Sequence, residues 1–138
     1  MFTLVYVSAA VTWFSDRELR ALLAQCRLSN AQTGITGMLL YKDGNFMQAL
    51  EGEERTVRAL EARIAADRRH QGMVTLHSGT VPQRQFSDWT MGFYDLRAPA
   101  GDLPAGYTEF LDTPLRDEAF LPAPQRCMDL MHVFRRMN

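Results

Sequence analysis

The sequence predicts an α+β fold: a mixed sheet with two helices packed on one face and a helical extension on the other. Two observations predict it. Short runs of β-branched and aromatic residues with a period of two alternate with longer amphipathic stretches of period 3.6. A single Asp-Gly dipeptide, Asp43-Gly44, joins two of the strand-like runs in the manner of a tight hairpin.

The first run, residues 2–8 (FTLVYVS), sets Phe2, Leu4 and Tyr6 on one face and Thr3, Val5 and Val7 on the other, which predicts a central strand. Ser15 and Glu18 then have capping-box spacing: the serine oxygen accepts from the third helical amide while the glutamate reaches back to the serine amide. A helix is expected to about Ser29, stopping near Asn30, with Leu19, Leu22, Leu23 and Cys26 as its apolar stripe. Residues 34–42 and 45–51 are expected to pair antiparallel across Asp43-Gly44.

Residues 53–67 predict a second amphipathic helix with Val57, Leu60 and Ile64 on one face, and acidic residues in its first turn, where the helix dipole favours them. Residues 73–81 and 91–96 are expected as strands, separated by a polar, turn-like PQRQFSDW. The order βαββαββ, with two crossovers on one face, is that of a ferredoxin-like arrangement, in which the first and third strands lie side by side. Beyond Ala98 a Pro- and Gly-rich stretch leads to Pro124 and a stripe of Cys127, Leu130, Met131 and Phe134. A C-terminal helix is expected there, so that residues 98–138 cap the core formed by residues 1–97 within one domain.

Composition excludes several classes. The 138 residues suit one domain, and 46% hydrophobic with 22% charged residues argues against disorder. Fifteen basic against sixteen acidic side chains leave no field to draw the chain onto nucleic acid or an anionic membrane. No apolar run reaches the ~20 residues of a membrane span, and the start MFTLVYVS lacks the basic region of a signal peptide. A cytoplasmic location is expected. Cys26 and Cys127 each sit in helix-like apolar patterns and read as reduced, buried thiols, with a redox pair as the less favoured alternative. His70, His77 and His132 show no ligand spacing, so no metal site is expected.

One polar residue breaks the apolar pattern. Gln48 shares a face with Phe46 and Leu50, which should look into the core. An amide buried without partners costs about 1–3 kcal/mol, so a polar group must stand opposite it. Tyr6 on the neighbouring first strand is the candidate, and Asn30 at the end of the first helix enters the same region. Three polar side chains converging in an apolar pocket suit a planar heteroaromatic ligand. The plainer reading is that they satisfy one another or the backbone.

Here the sequence resembles the BLUF family, sensors of blue light using FAD, over nearly all of residues 2–96. The segments that carry the likeness are LVYVS, LSNAQTGITGMLLYKDGNFMQALEG, the DRRH run and FSDWTMGF, together with the spacing of Tyr6, Asn30, Gln48, Trp89 and Met91. The resemblance implies a photoreceptor rather than an enzyme, with a flavin between the two helices. FAD is the flavin implied, with FMN as the alternative. Asn30 would bond the pyrimidine edge of the ring, and Gln48, held by Tyr6, would lie near N5 and O4. Blue light would excite the flavin, Tyr6 would supply an electron and a proton, and Gln48 would be left in a changed rotamer or tautomer. Trp89 and Met91 are the family's candidates for relaying that change, against a plainer reading as a partly buried aromatic and a core filler. Arg63, Asp67, Arg68 and His70 match the region near the ribityl and phosphate groups, though a solvated helix end also accounts for them. The chain departs from the family at Ser29, where some members carry a larger polar or ring side chain beside the flavin.

The chain leaves no length for an output domain, so the resemblance implies a separate signalling partner or self-association, with the C-terminal helix as a contact surface. Two rivals stand beside this reading. An acylphosphatase-like hydrolase is superficially suggested by GITGMLLYKDGNF, but it needs a phosphate cradle after the first strand, where this chain has SAAVTWFSD. A flavin-free interaction domain is opposed by the intact Tyr6, Asn30 and Gln48 set.

Overall fold

A computed structural model describes residues 1–42, 44–86 and 91–95, with residue 42 and residues 92–95 described at the level of the backbone. The chain runs β1 (Phe2–Ala10), α1 (Asp16–Thr33), β2 (Thr36–Lys42), β3 (Asn45–Gly52), α2 (Glu54–Ala65), β4 (His70–Thr80) and β5 (Gly92–Asp95). The expected order βαββαββ is therefore present. The five strands form one sheet in the order β4-β1-β3-β2-β5. All neighbours are antiparallel except β2 and β5, which makes the sheet mixed and its first four strands ferredoxin-like.

Each crossover skips one strand: α1 links β1 to β2 over β3, and α2 links β3 to β4 over β1. The helices thus cover the two central strands, β1 and β3. The core on that side gathers Phe2, Leu4, Tyr6, Leu39, Phe46 and Leu50 from the sheet, with Leu19 and Leu23 of α1 and Val57 of α2. The opposite face is also buried, since Val5, Met38, Leu40 and Met47 are each no more than 2% exposed. Burial on both faces explains why GMLLY in β2 reads as a continuous apolar run rather than an alternation.

The capping box is formed as expected: the Ser15 hydroxyl accepts from the Glu18 amide at 3.2 Å, and the Glu18 carboxylate accepts from the Ser15 amide at 3.1 Å. The far end of α1 differs from expectation. The helix does not stop near Asn30 but runs to Thr33, because Ala31, Gln32 and Thr33 continue it to Gly34, whose φ of 73° supplies the left-handed cap. Asn30 therefore lies inside the helix, one turn beyond Cys26, on the face turned to the sheet. Similarly β2 begins at Thr36, two residues later than expected, since Gly34 is committed to the cap. The hairpin turns at Gly44, whose φ of 81° only glycine adopts freely. β4 begins at His70, earlier than the apolar pattern suggests, and pairs with β1 through two register shifts. The expected C-terminal helix, and with it the capping role of residues 98–138, lies outside the described residues.

Two substitutions separate the contributions of core and cap. Leu50→Ala, at a fully buried central position, is expected to lower unfolding free energy by about 2–5 kcal/mol, and Ser15→Ala by about 0.5–2 kcal/mol, both measured by urea denaturation.

Candidate functional site

In the register of β1 against β3, Tyr6 stands directly opposite Gln48. Both side chains point to the helix face, and both are buried, at 5% and 4% exposure. The Tyr6 hydroxyl donates to Gln48 Oε1. That contact orients the amide, because its two ends differ: with Oε1 turned to the tyrosine, Nε2 points away and donates to the Met91 sulfur at 3.5 Å. Burial pushes the Tyr6 pKa well above its ordinary value of 10.0, and the negative potentials of Cys26 and Asp67 act in the same direction. Tyr6 is thus a firmly held proton donor.

Above this pair a cleft of about 170 Å³ opens between α1 and α2. Helix α1 lines it with Leu22, Gln25, Cys26, Ser29 and Asn30, which share a stripe by the i, i+3, i+4 rule. From α2 come Leu60, Arg63 and Ile64, from the following turn Asp67 and Arg69, and from the start of β4 His70. The floor is Tyr6 and Ser8 of β1, Leu39 of β2, and Phe46 and Gln48 of β3. The cleft is therefore mainly apolar, with the amides of Gln25 and Asn30 on the α1 side, the Gln48 amide and the Tyr6 and Ser8 hydroxyls in the floor, and charged groups at one end. Ser8 matters most to its reading: its hydroxyl is buried, lines the cleft and has no hydrogen-bond partner. Thr3 and Gln85 also carry buried polar atoms without partners, but of these three residues Ser8 alone lines the cleft, where a ligand can complete it.

At the charged end, Asp67 forms a two-pronged ion pair with Arg69, whose Nη2 lies 2.6 Å from Oδ2. Hydrogen bonding from Arg69 holds the Asp67 carboxyl below its usual range and raises the guanidinium in turn. Arg69 is exposed and Asp67 half-buried, so solvent screens the pair and it contributes little stability. The His70 ring approaches the Ile64 carbonyl that ends α2, and it lies 6.4 Å from the Tyr6 ring, centroid to centroid. Burial raises the Cys26 thiol pKa against the pull of Arg69 and Arg27.

Of the residues singled out from sequence, Tyr6, Asn30, Gln48, Arg63, Asp67 and His70 all meet in the cleft lining. Arg68 does not: it is exposed, and its neighbour Arg69 lines the cleft in its place. Strand and helix periods do not apply in the turn after α2, so no pattern distinguishes these two arginines. Met91 is buried and bonded to Gln48, whereas Trp89 lies outside the described residues. The signal for Ser8 is the period of two, which puts it on the face of Tyr6. Ser29 also borders the cleft.

Comparison with known proteins bears directly on this arrangement. Residues 1–92 match the family described as sensors of blue light using FAD. The chain belongs to the BLUF family. It is 39% identical over 90 residues to the photoactivated adenylate cyclase subunit beta of Euglena gracilis, covering 64% of this chain and 10% of that protein. With the blue light- and temperature-regulated antirepressor BluF of Escherichia coli it shares 32% identity over 95 residues, covering 69% of this chain and 24% of the relative. Among solved structures, BlrP1 of Klebsiella pneumoniae with FMN and cyclic diGMP superposes with a TM-score of 0.75 at 31% identity, over 98% of this chain and 34% of that one. BlsA in its photo-activated state gives a TM-score of 0.69 at 26% identity, over 97% of this chain and 94% of that one. The chain thus spans a tenth to a quarter of the length of the two curated relatives.

The cleft of this BLUF domain fits a flavin on its own chemistry. A flavin ring is flat, apolar on its faces and polar along one edge, which matches a mainly apolar cleft whose lining carries the Asn30 and Gln48 amides and the Tyr6 and Ser8 hydroxyls. Its phosphate-bearing tail suits the end where Arg63 and Arg69 stand. Among the described residues no cluster has the composition to hold a metal ion.

The raised Tyr6 pKa makes a testable statement about stability. Above pH 10 the unfolded tyrosine ionises while the folded one stays protonated, so stability is full below pH 10 and falls as pH rises, by up to about 1.4 kcal/mol per unit. Urea denaturation between pH 9 and 11.5 is expected to show this decline, and Tyr6→Phe is expected to flatten it.

Proposed function

We infer that this BLUF chain is the light-sensing unit of a signalling system: it holds FAD non-covalently between α1 and α2 and passes the light signal to a separate partner protein. The observation that carries the reading is the run of hydrogen bonds from Tyr6 through Gln48 to Met91 along the floor of a cleft with an unpartnered serine. FAD is the flavin by which the family is defined, and FMN is the flavin found with BlrP1.

Asn30 is assigned to the polar edge of the ring, and Arg63, Asp67 and His70 to the side of the ribityl chain and phosphates. Arg69 joins them through its place in the lining. Arg68 retains only the role of a solvated charge that favours an anion nearby. When bound, the flavin supplies the absorption of blue light and an acceptor for an electron. The chain supplies the switch.

Tyr6 and Gln48 are the photoactive pair. In the arrangement described, Tyr6 Oη keeps its proton toward Gln48 Oε1, and Gln48 Nε2 has one proton toward Met91 Sδ. Reversing the amide turns a donor to Tyr6 and an acceptor to the sulfur. Thioether sulfur has no proton to give, so the Gln48–Met91 contact is lost, and tautomerisation likewise redistributes donors and acceptors around the same amide. Met91 immediately precedes β5, the edge strand beside β2, so the rearrangement reaches the sheet's edge without any large movement inside the cleft. Trp89 is the second candidate relay, two residues earlier in the chain.

The domain does no catalysis of its own in this reading. Its partner is a separate protein in the cytoplasm that contacts the C-terminal helix, and light-dependent self-association is the other route by which the change leaves the domain. Adenylate cyclases and an antirepressor among the relatives support a light-controlled effector as the kind of partner.

The decisive measurement is the visible spectrum of the purified protein before and during blue illumination. A bound-flavin spectrum that moves slightly to the red and recovers in the dark is expected. Tyr6→Phe and Gln48→Leu are expected to keep the flavin and lose the shift. A colourless protein that takes up no added flavin overturns the reading, as does a normal shift in Tyr6→Phe. Pull-down profiles identical in light and dark, with an unchanged elution volume, would remove the separate partner and the self-association together.

A further inference from the structure

On the face of β3 away from the cleft, three residues beyond Gln48, Glu51 is a carboxylate with only 1% of its surface exposed. A carboxylate so far from water persists only where donors replace its hydration. Three do so. Thr36, its register partner on β2, donates its hydroxyl at 2.8 Å, and the successive backbone amides of Gln85 and Phe86 donate at 2.8 and 2.6 Å. Arg84 braces the same place, its Nη1 reaching Thr36 Oγ1 at 2.9 Å and the Glu51 carbonyl at 3.3 Å, and its Nη2 the Gly34 carbonyl at 2.7 Å. One carboxylate and one guanidinium therefore fasten residues 84–86 to β2 and β3.

Five residues after Phe86 comes Met91, the sulfur partner of Gln48. Its carbonyl is held from the other side by Arg27 of α1, whose Nε donates at 2.8 Å. The chain that enters β5 is thus tied down both before and after residues 87–90. The tie on the near side belongs to the same strand as the switch amide, on its reverse face.

We propose that Glu51 is a positioning residue of the photoswitch: by anchoring the amides of Gln85 and Phe86 it holds Met91 Sδ within reach of Gln48 Nε2 in the dark state. The proposal rests on the BLUF switch described above. Charge-assisted bonds to two consecutive amides locate a loop more firmly than neutral contacts do. Replacing the carboxylate with a carboxamide leaves one end that cannot accept, so one of the anchored groups faces a donor. The loop then loosens, Gln48 loses part of what favours its dark orientation, and the return from the lit state slows. A group that serves stability alone would lower the melting temperature without altering that return.

The test uses the full chain loaded with FAD. The unsubstituted protein is measured first, and the absence of any light-induced shift overturns the switch reading and this proposal with it. Given a shift, Glu51→Gln is expected to keep the dark spectrum and the size of the shift. Its dark recovery is expected to slow by roughly threefold or more, with an altered amide band in the light-minus-dark infrared difference. Recovery at the unsubstituted rate with a lower Tm alone overturns the anchor and leaves the switch standing. Should Glu51→Gln fail to fold, Thr36→Val removes one donor and keeps the charge. It is expected to slow recovery to a smaller degree, and recovery at the unsubstituted rate in that variant overturns the proposal.

Discussion

The bond between the Tyr6 hydroxyl and Gln48 Oε1 is possible because β1 and β3 lie side by side, and much of the molecule can be understood as arranging and protecting that one contact. Two polar side chains in the middle of a sheet face would each be destabilising alone. Paired across adjacent strands they satisfy one another, and the pairing leaves each with a defined direction: a proton pointing one way from Tyr6, and an amide hydrogen pointing onward from Gln48 to Met91. Because the crossovers α1 and α2 each skip a strand, both helices are brought over these central strands. The gap between the helices becomes the cleft.

The two faces of the sheet serve different ends at neighbouring positions of β3. Gln48 faces the cleft with one neutral partner at each end of its amide, an arrangement that can be exchanged for another at modest cost. Glu51 faces away with three donors around a charge, an arrangement that cannot be exchanged without leaving a buried carboxylate exposed to apolar surroundings. A strand that carries a changeable contact on one face and a fixed one on the other can move a single neighbour, Met91, against a background that stays in place. The same logic explains Tyr6: a hydroxyl whose proton is firmly retained by burial gives the amide one unambiguous dark orientation.

Much of this was legible in the sequence, because periods of two and 3.6 are imposed by burial of one face or stripe. FTLVYVS, the Ser15–Glu18 box, Asp43-Gly44 and the Val57, Leu60, Ile64 stripe each locate their element to within a few residues. Errors fell at ends, where local signals compete. Ser29-Asn30 resembles a helix stop, yet Gly34 supplies a better one, and the extra turn sets Asn30 within the helix lining. In the turn after α2, Arg68 and Arg69 are indistinguishable by pattern, and only the path of the backbone decides that Arg69 borders the cleft.

Over residues 2–95 the sequence by itself determined the elements, their order, the face on which Tyr6 and Gln48 lie, and the family likeness, since each follows from residues close together or from strand periodicity. Tertiary structure alone decided which groups complete one another across the sheet. That Gln48 Nε2 meets Met91, that Arg27 holds the Met91 carbonyl, that Ser8 is left unpartnered and that Glu51 collects two amides from a distant loop are facts of long-range geometry. Buried polar groups are specified by their partners, and a partner some forty residues away in the chain leaves no period for a sequence to display.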